Sequence, residues 1–105
     1  MTIQELQQKP KHFEFYHVEG DRITKYEYLC EYPFHNPKNM GSYHILINKS
    51  REEPVRVYKD HLTKMLEQCV LSYNEALLLV VNMYEKRINR YKNQIGEIKR
   101  EINEN

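Results

Sequence analysis

Five histidines, at positions 12, 17, 35, 44 and 61, are the side chains best suited to proton transfer or metal binding near neutral pH. Zinc sites announce themselves through close pairs such as C-x2-C or H-x3-H. The nearest histidines here, His12 and His17, fall on opposite faces of an expected strand. His35 and His44 flank a loop with Cys30 nearby, and a small hydrolase or nuclease using either as general base is one reading of that cluster. His61 stands beside Asp60, but adjacent helix residues do not face each other, and Asp60 is better explained as a helix N-cap. The chain has no G-x-S-x-G, no glycine-rich phosphate loop and three glycines in all. The expectation is a non-catalytic protein with no metal site and no cofactor.

A second chemistry is base stacking and phosphate contact. Tyr26, Tyr28 and Tyr32 alternate along one expected strand and could stack unpaired bases. Glu27 and Glu31 interleave with them, however, and repel phosphate. Lys86, Arg87, Arg90 and Lys92 concentrate four positive charges in seven residues, whereas residues 1–35 carry four basic against six acidic side chains. With a net charge of +1 no global field draws in nucleic acid or membrane. These tyrosines, His35, His44 and the four basic residues are the candidate ligand or nucleic-acid contacts. Nucleotide or nucleic-acid binding is the runner-up function.

The element that organises the chain is residues 72–104. Ser72 and Glu75 fit a capping box. From there apolar residues recur at Leu77, Val81, Tyr84, Ile88, Tyr91, Ile95, Ile98 and Ile102, in steps of four and three without a slip. This heptad pattern places Val81, Ile88, Ile95 and Ile102 at a and the others at d. Roughly thirty helical residues span about 45 Å, more than a compact domain of this length can cover. The apolar run 76–81 is expected to dock in the core and the later turns to form an arm. In a parallel pair Arg87 would face Lys92 of the other copy, so charge favours antiparallel pairing or packing against something else. Gly96, at an outward position, weakens the last turns by about 1 kcal/mol relative to alanine.

Ahead of this helix the sequence predicts one α+β domain over residues 1–105. Residues 1–10 form a short N-terminal helix or tail, opened by Thr2 and Glu5 and ended by Pro10. Residues 11–58 form an antiparallel sheet of three to four strands, with a turn at Glu19-Gly20-Asp21 and Pro54 opening an edge strand. Thr24, Tyr26, Tyr28, Cys30 and Tyr32 are expected on one packed face. Residues 33–42 make the longest loop, and residues 60–70 a short helix carrying Leu62, Met65, Leu66 and Cys69 toward the sheet.

Two cysteines 39 residues apart, with no apolar leader and no run of 18 or so apolar residues, imply reduced thiols in a soluble cytoplasmic protein. The function expected is that of a small interaction protein. It would self-associate through the C-terminal helix as a homo-oligomer, a dimer first, and present its sheet and the loop to a protein target. An accessory or inhibitory factor of a phage or mobile element is the class this suggests, with no membrane partner.

Overall fold

The computed structural model describes residues 1–32 and 43–104. In chain order they form α1 (Ile3–Gln7), β1 (Glu14–Glu19), β2 (Arg22–Tyr32), β3 (Tyr43–Asn48), β4 (Glu53–Tyr58), α2 (Lys59–Leu66), β5 (Cys69–Val70) and α3 (Tyr73–Glu104). The strands build one antiparallel sheet in the order β4-β3-β2-β1-β5. The α+β class is as expected, with five strands rather than three or four.

Local signals explain the boundaries. Thr2 accepts a hydrogen bond from the Glu5 amide at 3.1 Å and starts α1. Gly20 takes a φ of 61° in the two-residue loop between Glu19 and Arg22, at the position where such hairpin loops need glycine. β4, with Pro54, lies at the sheet edge, where a missing amide costs no ladder bond.

The fifth strand corrects the expected helix over 60–70, which ends at Leu66. Cys69 instead pairs with His17 of β1, and the Val18 amide bonds the Gln68 carbonyl at 3.0 Å. Helical spacing misled because Cys69 reaches the same core from a strand, with its thiol donating to the Met65 carbonyl at 3.2 Å. Asp60 is not the N-cap either. That position belongs to Tyr58, and Asp60 sits in the first turn, where its charge suits the helix dipole.

α1 and α2 cover one face of the sheet, and the core lies between them. Leu6, Phe15, Leu46, Val57, Leu62, Met65 and Leu66 are buried there, with Tyr26 and Tyr28 packed against them. Tyr26 and Tyr28 thus occupy the core face as predicted, but Cys30 and Tyr32 do not. The ladder to β3 slips between Tyr28, which opposes Leu46, and Cys30, which opposes Ile45. One extra residue in β2 reverses the alternation, so Cys30 and Tyr32 turn to the opposite, open face.

α3 approaches the open face. Glu75 donates its amide to Ser72 Oγ, and its carboxylate accepts from the Leu71 amide, so the capping box forms with the return bond one residue early. Tyr73 lies against Tyr16 of β1, ring centroids 5.8 Å apart, and Ala76 is fully buried. The helix has 32 residues, and at about 1.5 Å each they reach about 48 Å. The molecule measures 68 × 34 × 24 Å with a radius of gyration of 19.7 Å, against about 13 Å for a compact chain of 100 residues.

Leu66→Ala removes a fully buried side chain from under the sheet and is expected to lower the unfolding free energy by about 2–5 kcal/mol. Leu78→Ala, at 61 % exposure on α3, should change it by no more than about 0.5 kcal/mol. Urea unfolding followed by circular dichroism measures both.

Candidate interaction surface

Two stripes run along α3, one residue apart in sequence and therefore about 100° apart around the axis. Tyr73, Ala76, Val80 and Met83 form the first, the last three buried or half-buried where the helix crosses β1, β5 and the start of β2. The heptad seam is the second, and the body leaves it largely uncovered. Its exposures run from 40 % at Leu77, 47 % at Val81 and 43 % at Tyr84 to 51, 60, 52, 56 and 67 % at Ile88, Tyr91, Ile95, Ile98 and Ile102.

This corrects the expectation that residues 76–81 are buried on several sides. A helix resting on one sheet gives up only a narrow stripe, and Ala76 and Val80 fill it. Leu77, Leu78, Leu79 and Val81 are left exposed by 40–61 %.

Tyr84 marks where body and arm part. Its hydroxyl donates to Asp21 Oδ2 at 3.0 Å, at the tip of the β1–β2 hairpin. That bond to a carboxylate holds the phenol's pKa above its ordinary value. Every residue from 85 to 104 is exposed. Lys86, Arg87, Arg90 and Lys92 lie on this arm, spread over its polar side rather than gathered on one face, and Arg87 lies 5.9 Å from the Tyr84 ring centroid.

The candidate contacts on the sheet separate into three environments. His44 is a core residue at 1 % exposure. Its Nδ1 lies 3.0 Å from the Tyr28 hydroxyl, which in turn accepts a bond from Gln7 at 3.4 Å. This arrangement suits a neutral imidazole accepting the phenol proton, and burial lowers the His44 pKa accordingly. Tyr28 is committed to the same network. Tyr32 lies on the open face, stacked on Tyr43 at 5.4 Å, and Arg56 lies 4.7 Å over that ring. His44 and Cys30 face opposite sides of β2 and β3. His35 and the loop Pro33–Ser42 lie outside the described residues.

Two features were not anticipated. Glu27, on the open face and 7 % exposed, pairs with His12 and, at 3.5 Å, with Lys49. The bond from His12 is the main reason its carboxyl pKa is lowered. His12 takes a φ of 62° just before β1, which no spacing rule would have revealed.

The second is a cleft of about 890 Å³ between α2 and the hairpin side of the sheet. Arg22, Arg51 and Lys64 line it, with His17, His61 and Tyr26, against the carboxylates of Glu19 and Glu67. Burial lowers the His17 pKa and raises that of Tyr26. Cys69 adjoins it at the core, its thiol pushed up to about 12 by burial and so unsuited to act as a nucleophile. The elements contributing the cleft are distant in sequence, so neither histidine signalled it.

Among the described residues no three His, Cys, Asp or Glu side chains come together to hold a metal ion, and no helix is long and apolar enough to cross a membrane. Compared with protein-family models, curated proteins and solved structures, the chain matches none.

His44 and His17 both take up a proton less readily folded than unfolded. The unfolded chain binds it near pH 6.5 and the folded one only at lower pH, so stability is retained above 6.5 and falls as the pH drops below it. Glu27 acts in a separate window, because its folded pKa lies below 4.5 and its contribution is lost only in stronger acid. The urea midpoint should therefore be lower at pH 5.5 than at pH 7.5. His44→Gln should reduce that difference and leave the share due to His17.

Proposed function

We propose that this is a non-catalytic interaction protein that self-associates through the heptad seam of α3 and displays its sheet to a protein target. The carrying observation is the unbroken apolar line from Leu77 to Ile102 on a helix whose other side already serves the body. Scattered exposed hydrophobes need no explanation, but a contiguous stripe of eight marks a contact surface. Each is about half exposed, so roughly 1 kcal/mol per side chain remains to be gained by covering it. Across two chains the gain is on the order of 15 kcal/mol, set against an association cost of about 4–15 kcal/mol. A dimer that separates on dilution is the natural result.

The reading extends to a cytoplasmic accessory or inhibitory role, of the kind encoded by phages and mobile elements. Two free cysteines and an exposed helix support that step. Light scattering after size exclusion, across a dilution series, should give a mass of twice 12.9 kDa at high concentration and 12.9 kDa on dilution. Deleting residues 85–105 should leave a folded body, because the arm beyond Tyr84 is exposed throughout, and should abolish the dimer. A wild-type monomer at all concentrations would refute self-association.

One observation favours a second reading. The cleft sets Arg22, Arg51 and Lys64 around the half-buried ring of Tyr26, a combination suited to a nucleotide, and its volume is in the range of small-molecule sites. In this reading the sheet tyrosine and not the basic arm does the recognition. A nucleoside diphosphate at one hundred times its dissociation constant should stabilise the fold by about 2.7 kcal/mol, and Arg51→Glu should remove that gain. No thermal shift with any nucleotide would refute it.

A further inference from the structure

The seam specifies how two copies meet. We infer that two α3 helices pair antiparallel, centred between Asn89 and Arg90, so that the seam of each chain covers the whole seam of the other. The inference rests on the self-association proposed above and adds its direction and register.

Three observations on α3 converge. The first is extent. In an antiparallel coil each a residue faces a d residue of the other helix. With this centre, Leu77 meets Ile102 of the partner subunit, Tyr84 meets the partner's Ile95 and Ile88 meets the partner's Tyr91, with Val81 and Ile98 completing the line. All eight side chains that the body leaves exposed by 40–67 % are then covered. Sliding one heptad outward uncovers Leu77 and Val81, at 40 and 47 % exposure, on both chains.

The second is size. A parallel pair sets like against like, so that Tyr84 and Tyr91 would each stack on their own copies in the d layers. The antiparallel arrangement opposes every tyrosine with an isoleucine. Tyr84 is also held at its hydroxyl by Asp21, so its ring stays at the edge of the layer with the polar end already satisfied.

The third is charge. Antiparallel coils bring e against e and g against g. Here Glu85 faces Lys92 of the partner subunit, twice by symmetry, while Arg87 faces the neutral Gln94 of the partner subunit. No like-charged pair arises at these flanking positions. The parallel coil makes no favourable pair and sets Arg87 against the partner's Lys92 twice. All these side chains are exposed on the arm and free to take part.

The resulting assembly has a body near each end, joined by two helices overlapping over 26 residues, or about 39 Å. The two stripes of α3 make this feasible, because the body occupies one side of the helix and the partner's arm lies about 100° away.

Charge reversal at one exposed residue tests direction and register together. Lys92→Glu in the full-length chain turns both Glu85–Lys92 attractions into repulsions and should raise the dimer dissociation constant about tenfold or more, an effect that shrinks in 1 M salt. Glu85→Lys should weaken the dimer similarly. Mixing the two variants restores both attractions, so the mixed dimer should recover wild-type affinity. Tightening by Lys92→Glu would overturn the inference in favour of a parallel pair, since the Arg87 repulsion would then be relieved. An unchanged constant would overturn the register, because the heptad-shifted coil sets Lys92 against itself and reversal exchanges one like pair for another. Circular dichroism at a single concentration confirms that each variant folds. A wild-type chain monomeric throughout overturns self-association itself, an outcome distinct from a wild-type dimer that ignores these charges.

Discussion

A helix advances about 1.5 Å per residue and does not turn back, and that rigidity governs this molecule. The whole molecule is only 34 and 24 Å across its two shorter axes, and the sheet and its two small helices lie within that width. A 32-residue helix laid across it must leave it. Everything distinctive about the surface follows, because one side of the first three turns can be covered by the chain's own strands and the remainder cannot. The bond from Tyr84 to Asp21 lies at the point of departure, and the hairpin turn with Gly20 at its tip fixes where that point is.

The division of labour between the sheet's faces depends on one residue. Up to Tyr28 the even-numbered positions of β2 face α1 and α2, and beyond the bulge Glu31 takes the core side beside His44. Without the slip, Cys30 would point toward the core and Tyr32 would leave the stack with Tyr43. The bulge thus separates a network of Tyr28, His44, Gln7 and the Glu31 carboxylate from a row of exposed rings on the other side. The same bulge is what places Tyr32 on the open face.

What could be read from the amino-acid order was whatever depends on neighbours within a turn or two. The caps at Thr2 and Ser72, the Gly20 hairpin and the span of α3 are of this kind, and they stand where expected. What could not be read depends on partners far along the chain. β5 exists because β1 offers a free edge to two residues that otherwise fit a helix. The cleft brings α2 against the end of a hairpin about forty residues away. The fate of residues 76–81 was hidden because periodicity shows that a stripe is apolar and not which neighbour will cover it. Two stripes one residue apart looked like a single buried cylinder.

The arm also poses a problem of local stability. Its interior contains Asn89, Asn93 and Gly96, all weak helix formers, and a β-carbon at Gly96 would meet nothing within 4 Å. Isolated helices need about 12–15 good residues to be even marginally stable, so the stretch beyond Tyr84 cannot lean on propensity. Burial gives it little to lean on either, since each of residues 85–104 is exposed among the described residues. Continuity with the capped and docked first turns supplies the nucleus, which removes the costly first step of helix formation. Propagation through the asparagines and glycine needs a further contribution, and the apolar seam is the feature of the arm able to provide it once covered. In the proposed dimer, order in the arm and coverage of the seam would be two aspects of one equilibrium, anchored where Tyr84 bonds Asp21.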